Sequence, residues 1–233
     1  HDQYKEHLLV AKAGAIRSVV HDFNGDGTPD IGVLMAQELE TFLILSNDGK
    51  GDFAIHPVFQ KPPIYGHTGF ELADFNRDGR PDLLVTNGDN GEYPSPTKKY
   101  HGIRIYLNKG NYEFEEQFFY PLNGAFKAVA RDFDGDGDLD IAAISFFPDY
   151  HKSPEESFVF LENKGDYRFA ASTFKQFFVG RWLTMDVADL DGDGDIDIVL
   201  GSHIRGPSEV PDALNDTWEK VGPSVMILRN TLR

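Results

Sequence analysis

Nine residues recur four times along the chain in the pattern Asp-x-[Asp/Asn]-x-Asp-Gly-x-x-Asp, running from Asp22 to Asp30, Asp74 to Asp82, Asp132 to Asp140 and Asp189 to Asp197. Alternate side chains of a tight turn converge, and hard oxygen donors at alternate positions select calcium over softer metals. Positions one, three, five and nine supply the side-chain oxygens: Asp22, Asn24, Asp26 and Asp30; Asp74, Asn76, Asp78 and Asp82; Asp132, Asp134, Asp136 and Asp140; Asp189, Asp191, Asp193 and Asp197. The glycine at position six permits the turn, and position seven (Thr28, Arg80, Asp138, Asp195) is expected to donate its backbone carbonyl. The expectation is about four calcium ions, one per loop, with a structural role, since ligands fully used on the ion leave no open position for chemistry.

The charge balance fits this reading. The 233 residues hold 22 Lys plus Arg against 38 Asp plus Glu, a formal charge of -16, and sixteen aspartates lie in the four loops. Two like charges about 4 Å apart cost roughly 4 kcal/mol at an effective dielectric constant near 20, so these loops need counter-ions. Four divalent ions would halve the deficit. The same balance argues against nucleic acid as a partner. No cysteine occurs, which excludes thiolate metal sites, disulfides and a cysteine nucleophile in this sequence. Apolar runs such as Ile198 to Leu200 are too short for membrane insertion as a helix.

An EF-hand begins with the same pattern but needs a bidentate glutamate at position twelve between two helices. Position twelve here is Val33, Val85, Ala143 or Leu200, inside apolar, β-branched runs that read as buried strands. The loop starts at Asp22, Asp74, Asp132 and Asp189 are spaced by 52, 58 and 57 residues, a period that fits one four-stranded unit per repeat.

Inner strands are expected near Ala15 to Val20, Phe70 to Ala73, Ala125 to Ala130 and Leu183 to Ala188, with second strands directly after each loop. Third strands fall near Phe42 to Ser46, Ile103 to Asn108, Ser157 to Asn163 and Ser224 to Asn230. Outer strands fall near Phe53 to Phe59, Glu113 to Phe119 and Arg168 to Phe177. The fourth repeat lacks an outer strand, and residues 6–12 are expected to supply it and close a ring.

The loop, its apolar strand, a strand such as Val159 to Asn163 and then Gly-x-[Phe/Tyr], as in Gly110-Asn111-Tyr112, resemble the FG-GAP/VCBS repeat family, which includes the calcium-bearing repeats of integrin alpha-chain propellers. The resemblance spans essentially the whole chain. It implies an all-β propeller of four-stranded antiparallel blades, with the calcium loop between the first and second strand of each. A single domain of repeats 13–62, 63–121, 122–178 and 179–233 follows, either a four-bladed ring or the C-terminal part of a larger ring of about seven blades. His1 in place of a starting methionine favours the longer protein. Asn24 and Asn76 depart from Asp at position three and are expected to weaken their two sites.

A ligand is expected at the end of the blades opposite the calcium loops. There the connections Gly88 to Gly102, Phe147 to Glu156 and His203 to Gly222 are long enough to be functional. They carry Tyr93, Tyr100, His101, Tyr150, His151 and Trp218, and aromatic faces beside acids and amides suit a sugar surface. Arg17, His67, Lys127, Arg181 and Trp182 fall in the segments between repeats, where cations can grip a carboxylate or phosphate.

The leading expectation is a calcium-stabilised binding or scaffold module for carbohydrate or a partner protein, working in an extracellular, periplasmic or cell-surface setting where calcium is plentiful. One alternative is a polysaccharide lyase or glycoside hydrolase using Tyr100, His101, Tyr150, His151 and Arg181, although no nucleophile or metalloprotease motif stands out and its catalytic groups are unknown. Another is a purely structural domain of a larger secreted protein.

Overall fold

A computed structural model describes residues 3–91 and 96–231, so Tyr93 lies outside the described residues. Four antiparallel sheets form in chain order. The first contains β1 (Ala15–His21), β2 (Asp30–Gln37), β3 (Leu39–Asn47) and β4 (Phe53–Lys61). The second contains β5 (His67–Ala73), β6 (Asp82–Asn87), β7 (Gly102–Gly110) and β8 (Glu113–Pro121). The third contains β9 (Ala125–Arg131), β10 (Asp140–Ser145), β11 (Phe158–Asn163) and β12 (Phe169–Ser172). The fourth has three strands, β13 (Trp182–Ala188), β14 (Asp197–Ser202) and β15 (Val225–Leu228).

Composition explains the order within each sheet. The second strands β6 and β10 are buried at every position, as unbroken apolar runs require when both faces are covered. The outer strand β8 interleaves glutamates with aromatics and stays largely exposed. Each repeated loop closes the hairpin between the first two strands in one register: His21, Ala73, Arg131 and Ala188 stand opposite the position-nine residues Asp30, Asp82, Asp140 and Asp197.

Three apolar cores lie between successive sheets. Leu34, Phe42 and Ile44 of the first meet Phe70, Leu83 and Val85 of the second. Leu84, Ile103 and Ile105 of the second meet Ala128, Ile141 and Leu161 of the third. Val129, Ile144 and Phe158 of the third meet Trp182, Met185 and Leu200 of the fourth. Truncating one such leucine to alanine typically costs about 2–5 kcal/mol.

Among the described residues, no core cluster joins the fourth sheet to the first. Strand alternation leaves apolar residues outward at both ends of the stack, Ile16 and Val20 on β1 and Val225 and Ile227 on β15. The strand expected over residues 6–12 does not form. Residues 3–14 belong to no strand, and Gly14, next to the start of β1, accepts a hydrogen bond from Ala36 N–H (2.9 Å). β5 begins three residues before the expected Phe70, and β12 ends at Ser172, short of the expected Phe177. A helix absent from the sequence reading, α1 (Asp212–Val221), occupies the connection between β14 and β15.

Candidate metal loops and the opposite cleft

The four loops share one hydrogen-bonded frame. At position one, Asp22 accepts N–H bonds from Gly25 (2.8 Å), Asp26 (3.2 Å) and Gly27 (2.8 Å). Asp74 accepts from Asp78 (3.1 Å) and Gly79 (2.8 Å), Asp132 from Gly135 (2.8 Å) and Gly137 (3.0 Å), and Asp189 from Gly192 (2.7 Å) and Gly194 (3.1 Å). At position five, Asp26, Asp78, Asp136 and Asp193 accept the N–H of Thr28, Arg80, Asp138 and Asp195 at 2.7–3.1 Å. The glycines at position six have φ between 84 and 96°, a conformation that favours glycine. Position four is left-handed as well, at Gly25, Arg77, Gly135 and Gly192, a requirement the sequence reading passed over.

Position nine is the bracket. Asp30, Asp82, Asp140 and Asp197 are at most 1% exposed. One oxygen of each accepts the N–H at position two (Phe23, Phe75, Phe133, Leu190) at 2.9–3.2 Å. The other accepts an N–H from the third strand or just beyond it (Asn47, Asn108, Asn163, Asn230) at 2.8–2.9 Å. Burial pushes the Asp140 carboxyl up to about 6, opposed by the Asn163 N–H and reinforced by the Asp134 and Asp136 charges. Burial raises Asp82 too, whereas the Asn230 N–H holds Asp197 below the usual carboxylate range.

Positions one, three and five make the donor groups. Asp132, Asp134 and Asp136 each bring an oxygen within 4.8 Å of the other two, as do Asp189, Asp191 and Asp193. Such an all-oxygen set fits a hard cation. In the first two loops Asn24 and Asn76 stand at position three, each with its amide oxygen accepting the N–H of position five (2.9 and 3.0 Å). Cations of the protein reach the same loops: Arg77 bonds Asp138 (2.5 Å), Arg80 pairs with Asp78, and Arg229 meets Asp191 (2.6 Å) and Asp197 (3.0 Å).

Neighbouring sheets contribute residues that sequence inspection did not single out as site residues. Asn24 Nδ2 donates to the Tyr112 hydroxyl (2.7 Å), and Asn230 Nδ2 donates to the Phe133 carbonyl (2.7 Å). Burial, then the charges of Asp82, Asp78 and Asp74, push the Tyr167 hydroxyl above its ordinary value. The visible signal was the shared turn sequence Asn-Lys-Gly-[Asn/Asp]-Tyr at 108–112 and 163–167.

At the other end of the strands, about 20 Å away for a six-residue strand, the long connections enclose a cleft of about 300 Å³. Asn90, Asn123, Phe147, Asp149, His151, Lys152, Ser208 and Glu209 are among its lining, together with Tyr150. Tyr150 is buried, donates to the Phe146 carbonyl (3.2 Å) and packs edge-on against Trp218 (5.5 Å). Trp218 is buried and donates to the Phe178 carbonyl (2.9 Å). Arg181 is buried with its guanidinium 3.9 Å from the Phe146 ring, and bonds Ser208 Oγ (2.8 Å) at the cleft wall. Desolvation lowers its pKa. Of the ten residues the sequence proposed for ligand binding, only Tyr150 and His151 line this cleft, with Arg181 and Trp218 packed behind it.

The other six are dispersed. Trp182 is buried in the core between the third and fourth sheets and donates to the Phe177 carbonyl (3.0 Å). His67 is buried against Glu40 Oε2 (2.7 Å) between the first two sheets. Tyr100 stacks on Tyr65 (4.9 Å), His101 is buried near the Gly124 N–H (3.4 Å), Lys127 bonds the Met185 carbonyl, and Arg17 lies 5.6 Å from the Phe70 ring centre.

Residues 22–85, which contain the first two loops, match the FG-GAP-like repeat family. Cartilage acidic protein 1 of Xenopus tropicalis is 27% identical over 200 residues, covering 77% of this chain and 28% of that protein. The chain thus spans less than a third of that relative's length. Among the described residues, no helix is long and apolar enough to cross a membrane.

Proposed function

From the premise that residues 22–85 are an FG-GAP-like repeat, whose loop pattern recurs at 132–140 and 189–197, we propose that the chain is a calcium-stabilised propeller module that binds a carbohydrate or a partner protein outside the cytosol. The observation that carries the reading is the pair of tri-aspartate groups, each with three oxygens within 4.8 Å, on a frame repeated in four loops. Positions one, three and five, with position nine and the carbonyl of position seven, would hold each ion. Each oxygen of Asp30, Asp82 and Asp140 already accepts one N–H but retains a second lone pair, as does Asp197 Oδ1, whereas Asp197 Oδ2 accepts from both Leu190 and Arg229. The ion supplies charge neutralisation in a chain of net charge -16.

Repeats 13–62, 63–121, 122–178 and 179–233 act as one domain in this reading. The outward apolar residues of β1 and β15 fit further blades of a larger ring. An extracellular, periplasmic or cell-surface location is supported by the calcium concentration available there to weaker sites. The relative's name, which joins cartilage and acidity, points the same way.

Ligand binding is assigned to the cleft opposite the loops. Its lining mixes amides, acids, a lysine and aromatic rings, the chemistry that recognises hydroxyl-rich ligands. Binding is favoured over proton transfer because Tyr150, Arg181 and His101 are buried in structural contacts, which leaves His151 as the exposed titratable candidate of the enzyme reading in the cleft. A glycan array scored in parallel with assays for new reducing ends and unsaturated products tests this: binding without product is expected. Product formation would replace the binding reading with a lyase or hydrolase, and neither signal would leave a scaffold.

A further inference from the structure

We propose that the two bare ends of the stack fit each other, so that a second copy of this chain covers both and two chains close one ring of eight sheets; this rests on the propeller reading above. Cross-strand partners in a sheet share a face. Rows of such partners can therefore be followed from one junction to the next.

One row of each sheet meets the sheet before it. Leu72, Leu83 and Tyr106 of the second sheet pack against the first. Ala130, Ile141 and Leu161 of the third pack against the second, and Val187, Ile198 and Leu228 of the fourth against the third. The same row in the first sheet is Val20, Ile31, Leu45 and Ile55, apolar across all four strands. Among the described residues no sheet covers it, and Val20 and Ile55 are exposed. The neighbouring row faces the sheet that follows: Val19 and Ile44 in the first, Leu84 and Ile105 beside Glu71 in the second, Val129, Ala142 and Phe160 in the third. In the fourth it is Asp186, Val199 and Ile227, with Ile227 exposed. Each end carries the half of a junction that the other end lacks.

Charge matches this chain's two ends to each other. The rows that face forward hold an acid on the inner strand in two sheets, Glu71 in the second and Asp186 in the fourth. Glu71 is paired from the third sheet by Arg131, the residue after Ala130 on β9. The residue at that place on β1, after Val20, is His21, and both His21 and Asp186 are exposed. Where the forward row has Val19 or Val129 instead of an acid, the following sheet has Ala73 or Ala188 at that place. Each chain offers one end of each kind, so two chains form two equal junctions about a twofold axis. Eight sheets fall within the roughly four to eight blades that propellers use.

The mass of the full chain in sedimentation tests this, with twice 26.1 kDa expected. Val20→Glu and Ile227→Lys each place a charge in both junctions, and each alone is expected to weaken pairing by more than about a hundredfold. Both positions are exposed in the single chain, so the circular dichroism of each variant should match that of the wild type. Mixed in equal amounts, the two variants are expected to recover the doubled mass, because one junction is then wild type and the other sets Glu against Lys. A single mass for the wild-type chain at up to about 100 μM would overturn the pairing. If that chain still takes up calcium, the propeller reading stands; if it takes up none, both fall. Loss of the dimer in one variant alone, no recovery on mixing, or a growing series of larger masses would overturn the closed ring.

Discussion

The loops at 22–30 and 74–82 have the same bonded frame as those at 132–140 and 189–197, yet each carries three aspartates where the later ones carry five. The frame is set by positions one, five, six and nine, whose carboxylates accept loop N–H groups and whose glycines take positive φ in all four copies. Position three, where the charge differs, joins the frame as well: Asn24, Asn76 and Asp134 each accept the position-five N–H through Oδ1. An amide and a carboxylate at position three serve the frame alike, so the charge a loop offers can be changed there with the frame kept.

The largest effect is expected from breaking the frame at position nine. Asp140→Ala leaves the buried N–H of Phe133 and the partly buried N–H of Asn163 without acceptors, at up to about 1–3 kcal/mol each. Urea unfolding should show that loss in EDTA as well as in calcium. Asp136→Ala should destabilise in calcium, where a bound ion at about 100 times its dissociation constant contributes about 2.7 kcal/mol, and far less in EDTA. Equal losses in EDTA would mean that the exposed Asp136 holds the loop as firmly as the buried Asp140.

A smaller effect is expected at position three. Asn24→Asp should tighten the first loop and Asp134→Asn should loosen the third, each by about tenfold, because one carboxylate beside a dication is gained or lost. Titration calorimetry checks the pair, and shifts in the same direction would contradict the comparison.

The smallest effect separates the halves by pH. His67 lies between the first two sheets with Glu40, while Arg104 and Lys61 also act on it. Burial outweighs the Glu40 contact and holds its pKa below the usual 6.5. The unfolded chain therefore takes up a proton that the folded chain resists, so stability present above about pH 6.5 declines as pH falls below it. Hydrogen exchange should loosen β5 before β13 in that window; β13 opening first would argue against His67 as the weak point.

The loops and most strand positions were legible in the sequence because their signals are local: aspartates at fixed offsets, glycine at position six, apolar runs directly after. What depended on distant partners was not. A strand over 6–12 needs a sheet edge to pair with, and those residues form no strand. Trp182, Arg181 and Tyr150 sit in segments that read as exposed connections, but apolar rings from the neighbouring connections and sheets cover them. Helix α1 had local cues that were passed over, Asp212 in its first turn and the Asp216–Lys220 pair one turn apart. The link from Tyr112 to Asn24 spans 88 residues, so only the folded chain brings it into view.

Bound metal counted by elemental analysis tests the central claim most directly. Protein stripped with chelator, equilibrated with excess calcium and passed through a desalting column at defined free calcium should retain about four ions per chain at saturation, with the two five-aspartate loops filling first. Retention of essentially no calcium, with a melting curve that EDTA leaves unchanged, would contradict it.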